Sequence, residues 1–272
     1  MTTKKYYRLL TIAGSDSGGG AGIQADLKTF SALGCFGMSV ITALTAQNTV
    51  SVLGIYEVPS NFIKKQLDAV ISDIGVDAVK IGMLFNSEVI KTVAERLHYY
   101  EIEKIVLDPV MVAKSGDKLL KDDAIDAMLE ELIPISTIIT PNIPEASVLI
   151  NKQINSKFDI ENAGMILLSS GTKSVLIKGG HTSDVTSSDY LFVKNKDGKI
   201  ENYLFEEKRI ETKNTHGTGC TLSSAIAAYL AKGFSIKESV ELSKKYLTDA
   251  IRSGAEYKLG NGYGPVNHFF SN

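Results

Sequence analysis

The chain has 272 residues, 44% hydrophobic and 22% charged, with a formal net charge of −2. That balance fits a soluble globular protein with a sizeable core, and the lack of a basic stripe argues against nucleic acid as a primary partner. Apolar runs such as Ile105-Val106-Leu107 stop at strand length, short of the roughly 20 residues that span a bilayer, and residues 1–8 lack an apolar signal core, so a cytoplasmic protein without membrane contact is expected.

The elements alternate along the chain. Residues 8–13 read as a strand, then a glycine loop, then a helix over 22–33. Residues 38–46 read as a second strand. Over 59–72 the residues Phe62, Ile63, Leu67, Val70 and Ile71 share one helical face. A strand over 78–81 precedes a helix capped by Asn86 or Ser87. A strand at 104–107 ends at Asp108-Pro109, and a helix covers 122–132. A strand at 137–140 ends at Pro141-Asn142, and 161–170 is helical. A strand at 175–177 ends at Lys178-Gly179-Gly180. Strands 190–194 and 200–205, joined by Lys196-Asp197-Gly198, read as a hairpin. Helices over 221–232 and 235–253 close the pattern, followed by a turn-rich tail, 260–265.

This order predicts an α/β fold with a mostly parallel sheet and helices on both faces. No linker, repeat or low-complexity tract interrupts it, so one domain over 1–272 is expected. In such folds ligands sit beyond the carboxyl ends of the strands. Gly14 to Gly22, Gln47, Met83, Asp108, Asn142 and Lys178 all fall at those ends.

The segment Asn214-Thr215-His216-Gly217-Thr218-Gly219-Cys220-Thr221 runs from a glycine turn into a helical pattern. A helix start of this kind presents free N–H groups and about half a positive charge, which suits phosphate. A cysteine there is expected to ionise more readily than a free thiol. The alternative is a glycine turn with a buried structural cysteine. His216 is either part of this site or a solvated loop residue.

Gly14 to Gly22 is not a Walker A loop, because Gly20 stands where the lysine belongs, and it lacks GxGxxG in register. It either lets backbone approach a ligand or connects two elements. Asp26, one turn into the next helix, either reaches a ligand hydroxyl or is solvated. The Gln47 amide carries donor and acceptor on one edge, which matches an aminopyrimidine. Asp108 and Glu145 suit magnesium, which needs one or two carboxylates beside phosphate oxygens. Glu145 also suits the first turn of a helix as such. Lys178 offers a point charge for phosphate. Cys35 and Cys220 are far apart without a CxxC, and the four histidines show no paired ligand spacing, so neither a disulfide framework nor a zinc site is expected.

Taken together, the chain resembles the hydroxymethylpyrimidine/phosphomethylpyrimidine kinases, within the ribokinase-like superfamily. The resemblance rests on residues 11–30, on 39–49, on Lys80-Ile81-Gly82-Met83, on 108–116, on 214–221 and on the closing Gly264-Pro265-Val266-Asn267-His268-Phe269. It implies a ribokinase-like three-layer fold and two ATP-dependent phosphorylations, of 4-amino-5-hydroxymethyl-2-methylpyrimidine and of its monophosphate. Residue by residue, it implies that Gln47 holds the pyrimidine, with Gly14, Asp26, Met83 and Val110 around it. Asp108, Asn142, Glu145, Lys178 and Thr218 would serve ATP, with Asp108 and Glu145 at Mg2+. Gly217, Thr218, Gly219 and Cys220 would form the catalytic anion hole, with Cys220 accepting or guiding the hydroxyl proton. Most sugar kinases of the superfamily carry Asp at the Cys220 position, so the departure leaves the general base open. A homodimer is also implied.

Three other readings stand beside this one. A pyridoxal or pyridoxine kinase, or dual activity, fits the same fold, although Gln47 favours the pyrimidine. A silent binding protein conflicts with the intact Asp108, Glu145, Lys178 and Cys220. A NAD-dependent oxidoreductase conflicts with the missing GxGxxG.

Overall fold

A computed structural model of the chain describes residues 4–111, 123–179, 185–195 and 197–271. Among these residues nine strands form one sheet: β1 (Arg8–Asp16), β2 (Phe36–Gln47), β3 (Val52–Glu57), β4 (Ala78–Ile81), β5 (Ile105–Leu107), β6 (Ile138–Ile139), β7 (Ser174–Lys178), β8 (Thr186–Lys194) and β9 (Ile200–Lys208). Their order is β3-β2-β1-β4-β5-β6-β7-β8-β9. In that order the six from β2 to β7 pair in parallel, while β3, β8 and β9 pair antiparallel at the two edges.

Among the described residues eight α-helices accompany them: α1 (Gly22–Ala32), α2 (Ser60–Asp73), α3 (Ser87–Tyr99), α4 (Ala124–Ala127), α5 (Ile143–Leu149), α6 (Lys157–Ser169), α7 (Thr218–Ala231) and α8 (Ile236–Gly254). Alternation along the strands separates two cores, because successive side chains point to opposite sheet faces. Leu10, Ile12, Val79, Ile81, Ile105, Leu107, Val175 and Ile177 pack with the apolar stripes of α2, α3 and α6. Leu9, Ala78, Val106, Ile138 and Leu176 pack instead with Leu222, Ile226 and Leu230 of α7 and Val240 of α8. The central strands β1, β4, β5, β6 and β7 are therefore buried on both faces, which is why they read as short unbroken apolar runs.

The expected α/β architecture is present, with differences at the margins. The edge strand β3 was not anticipated, because Leu53, Gly54 and Tyr56 lie in solvent and leave no alternation. The helix expected over 161–170 begins at Lys157, where Ser156 caps the Asp159 N–H. The helix expected over 122–132 is α4 followed by a π-turn, Met128–Leu132, and residue 122 lies outside the described residues. Asn86 is the cap of α3, accepting the Val89 N–H. The hairpin is longer than expected on both arms, and Lys196 of its turn lies outside the described residues. So do Gly180 and residues 112–116 of the motif that starts at Asp108.

The chain leaves β1 towards β2 on one side and returns through β4 on the other, so the strand order reverses at β1. A crevice opens beyond the carboxyl ends at such a reversal. Met83, Asp108, Asn142 and Lys178 stand at or just past the ends of β4, β5, β6 and β7.

Candidate active site

A cavity of about 690 Å3 occupies that crevice. Gly14, Gln47, Met83 and Val110 line one end, and Asp108, Asn142, Glu145, Lys178 and Gly217 to Cys220 line the centre. Asp26, expected among them, is not at the cavity.

At the first end, a register shift in β1 between Ala13 and Ser15 lifts Gly14 out of the ladder. A side chain at Gly14 would press on the Met83 sulfur, so backbone forms this wall. Ala43 and Met83, with Ile55, Phe85 and Val110, make a small apolar cluster suited to a ring face. The Thr45 hydroxyl lies between the Ser15 carbonyl at 3.0 Å and the Gln47 Oε1 at 3.1 Å, which holds the Gln47 side chain beside the glycine loop. The Gln47 backbone is tied to Ser17 through both N–H and C=O, at 2.8 and 2.9 Å, so the glycine loop and the end of β2 move together.

In the centre, Asp108 is buried among three side-chain donors. It accepts from Lys178 Nζ at 2.7 Å, Thr140 Oγ1 at 3.1 Å and Ser223 Oγ at 3.3 Å. Burial disfavours its charge, but Lys178 and Lys80 outweigh that, and its carboxyl is held below the usual range. Glu145 faces the opposite balance. Burial pushes it up to about 7, Lys178 works against that, and the nearby Asp108 adds to it. It is also the N3 residue of a capping box with Asn142 on α5. Glu145 is thus a helix cap that also lines the cavity. Among the described residues no group of three or more His, Cys, Asp or Glu could bind a metal alone. Magnesium does not need one: two carboxylates beside phosphate oxygens are a sufficient protein share. A buried acid at about 7 next to Asp108 is also the kind of group that a cation relieves.

The third part is the turn before α7. Gly217 adopts φ 79°, and a Cβ there would overlap the Gly20 carbonyl oxygen, so only glycine fits. The helix begins at Thr218, three residues earlier than expected, and puts Thr218, Gly219 and Cys220 in its first turn. Lys178 Nζ and Asp108 Oδ2 converge within 3.5 Å of where a Gly219 Cβ would stand. The expectation for Cys220 needs correction. Burial pushes its thiol up to about 11, although Lys80 and the Gly22 N–H pull it down, so desolvation defeats the helix terminus.

Asp26 is the second correction. It is wholly buried behind the cavity floor and accepts from Thr11 and Ser224, each at 2.6 Å, and from Lys80 at 2.9 Å. With no exposed surface and no place in the cavity lining, it is out of a ligand's reach. Lys80 was not anticipated as a site residue, though it lines the cavity from beneath. A lysine inside the otherwise apolar strand Ala78–Ile81 was the available signal, since a buried lysine demands a partner.

Two further features were missed. His216 is not solvated: it is buried and lies 2.8 Å from Asp16. Asp189, Lys208, Arg209, Ile210, Leu247 and Thr248 also line the cavity. There Lys244 Nζ donates to Asp189 at 2.6 Å. Nothing in the α8 sequence distinguishes this face from an ordinary amphipathic one.

Comparisons with known proteins identify the family. A family model described as phosphomethylpyrimidine kinase matches residues 16–267. The hydroxymethylpyrimidine/phosphomethylpyrimidine kinase of Escherichia coli is 46% identical over 97% of this chain and 98% of its own. A thiamine biosynthesis bifunctional protein of Geobacter sulfurreducens is 50% identical over 97% of this chain, which spans only 52% of that longer protein. Among solved structures, the phosphomethylpyrimidine kinase of Clostridium difficile shares 48% identity with a TM-score of 0.78, covering 90% of this chain and 99% of that one. The pyridoxal kinase of Staphylococcus aureus in complex with pyridoxal is 36% identical with a TM-score of 0.89, covering 99% of this chain and 96% of that one. The α/β fold described above is thus ribokinase-like in its neighbours. With the family match spanning nearly the whole chain and full-length relatives at almost half identity, this protein belongs to the phosphomethylpyrimidine kinase family.

Proposed function

We propose that this cavity transfers the γ-phosphoryl group of ATP to the hydroxymethyl oxygen of 4-amino-5-hydroxymethyl-2-methylpyrimidine, and then to the monophosphate so formed. The observation that carries the reading is the convergence, in one cavity, of Gln47 at an apolar end with the Gly217–Cys220 turn, Lys178 and two carboxylates. Gln47 holds the aminopyrimidine edge, while Gly14, Met83 and Val110 hold the ring. The wall near Leu247 and Thr248 receives the nucleotide, placing its phosphates beside Lys178, Asn142 and Thr218.

The N–H groups at the start of α7 meet the charge that develops on the transferred group; a donor of this kind is worth roughly 100- to 1000-fold in rate. Lys178 stays charged beside Asp108 and draws the phosphate oxygens in. Asp108 and Glu145 would hold magnesium, which supplies charge neutralisation on the phosphates. Cys220 is protonated at neutral pH, so it orients the acceptor hydroxyl rather than stripping its proton. Phosphoryl transfer tolerates this, because its transition state is loose and depends mainly on positioning.

The unit acts as one kinase domain. A homodimer is the expected assembly, supported by the exposed Leu44, Leu53 and Tyr56 around the β2–β3 edge, and the mass in solution tests it. A pyridoxal kinase activity is the second reading, favoured by the fold overlap with the Staphylococcus aureus enzyme. The deciding experiment supplies ATP and magnesium with the pyrimidine, its monophosphate or pyridoxal. Passage of the pyrimidine to its diphosphate supports the first reading; turnover of pyridoxal alone replaces it with the second.

A further inference from the structure

His216 and Asp16 are both buried and lie 200 residues apart in sequence, yet His216 Nε2 and Asp16 Oδ2 are 2.8 Å apart. The Asp16 carboxylate is also the organiser of the glycine loop. It accepts the N–H of Gly18 at 2.8 Å, of Gly20 at 3.1 Å and of Ala21 at 2.8 Å. Asp16 is paired with Thr45 in the sheet, two residues before Gln47. His216 immediately precedes Gly217, and its own N–H is fixed to the Gly264 carbonyl at 3.0 Å. The two loops are packed so closely that a Cβ at Gly20 would collide with the His216 ring.

We propose that His216 is a positioning residue: through Asp16 it locks the acceptor-side loop onto the turn that receives the phosphoryl group, fixing the distance between acceptor hydroxyl and γ-phosphorus. The inference rests on the function proposed above. It assigns His216 no contact with either substrate and no proton transfer. The pair works by register. Asp16 sets the loop that follows β1, His216 sets the start of α7, and the single contact between them removes one degree of freedom from the reaction geometry.

A misplaced acceptor leaves room for water, so the signature is uncoupling. The test compares the wild type with His216→Ala and His216→Gln, whose amide can reach Asp16 as a donor. In each protein, ADP formed is divided by phosphorylated acceptor formed, using whichever acceptor the wild type turns over. The ratio is independent of how much protein is folded. Wild type and His216→Gln are expected near one ADP per product. For His216→Ala the ratio rises several-fold while kcat falls, by up to about 100-fold for a displacement near 1 Å. In the ligand-free protein the amides of residues 18–21 should also exchange hydrogen faster in His216→Ala than in wild type.

A His216→Ala enzyme that stays coupled, or loop amides with unchanged exchange, overturns the proposal and leaves His216 as packing. A wild type that phosphorylates none of the acceptors overturns the function instead, and the exchange comparison still judges the Asp16 contact.

Discussion

Lys80 Nζ lies 2.9 Å from Asp26 Oδ2, and neither side chain has any contact with solvent. Burial disfavours the ammonium, but the carboxylates of Asp26 and Asp108 outweigh it, so Lys80 keeps its charge. The pair joins the underside of β4 to α1, and Ser224 extends it to α7. Strand β4 and helices α1 and α7 are thereby pinned at one buried point beneath the cavity.

Removing one partner strands the other charge. Asp26→Asn is therefore expected to lose about 3–5 kcal/mol of stability, whereas Asp26→Leu with Lys80→Met should recover most of it. Urea unfolding measures both. Equal stability of the single variant and wild type would contradict the pairing.

Cys220 should behave as a poor nucleophile. With its thiol at about 11, alkylation followed by peptide mapping should be slow at pH 7.5 and accelerate into the alkaline range. Cys220→Ala should lower kcat by less than the roughly 100-fold that loss of a general base costs, with the KM for ATP little changed. Fast labelling at neutral pH would restore the thiolate as the base.

Glu145 gives the ligand-free protein a pH dependence of definite sign. Its ordinary value is 4.5 and burial raises it to about 7. Between those values the folded state binds the proton that the unfolded state releases, so stability falls as pH rises through the window. Glu145→Gln keeps the cap and removes the charge. It should be more stable than wild type at pH 8 by about 1–3 kcal/mol, since a tenfold change in proton affinity is worth about 1.4 kcal/mol, while losing magnesium-dependent activity. Thermal melts at pH 5 and pH 8 without nucleotide check this, and identical slopes for both proteins would refute it.

Gln47 should set acceptor affinity alone. Gln47→Ala is expected to raise the KM for the pyrimidine by roughly 10- to 100-fold, the worth of one or two hydrogen bonds, and to leave the KM for ATP in place. A matching rise for ATP would place Gln47 elsewhere in the reaction.

What could be read in the sequence were the features that interrupt a pattern. Asp108, Asn142 and Lys178 end apolar runs, and Gly217 breaks the chain just before a helical period, so their placement at strand and helix ends was visible. The fate of Asp26 was not, because its partners Lys80 and Ser224 are 54 and 198 residues away. For Cys220 the helix terminus was legible but the degree of burial was not, and burial decides its protonation. His216 looked like a loop residue because the carboxylate that engages it belongs to the first strand. The β3 edge escaped notice since a solvent-facing strand interrupted by Gly54 has no apolar face to betray it.

The tail after α8 reaches back across both halves of the cavity rim. The Tyr263 N–H donates to the Thr49 carbonyl at 2.9 Å, beside the end of β2, while Gly264 receives the His216 N–H. His268 packs against Thr221 in the first turns of α7. The last residues of the sequence thus fasten the end of β2 to the start of α7, so shortening the chain by this stretch would loosen the acceptor end and the phosphate end together without removing a single residue that lines the cavity.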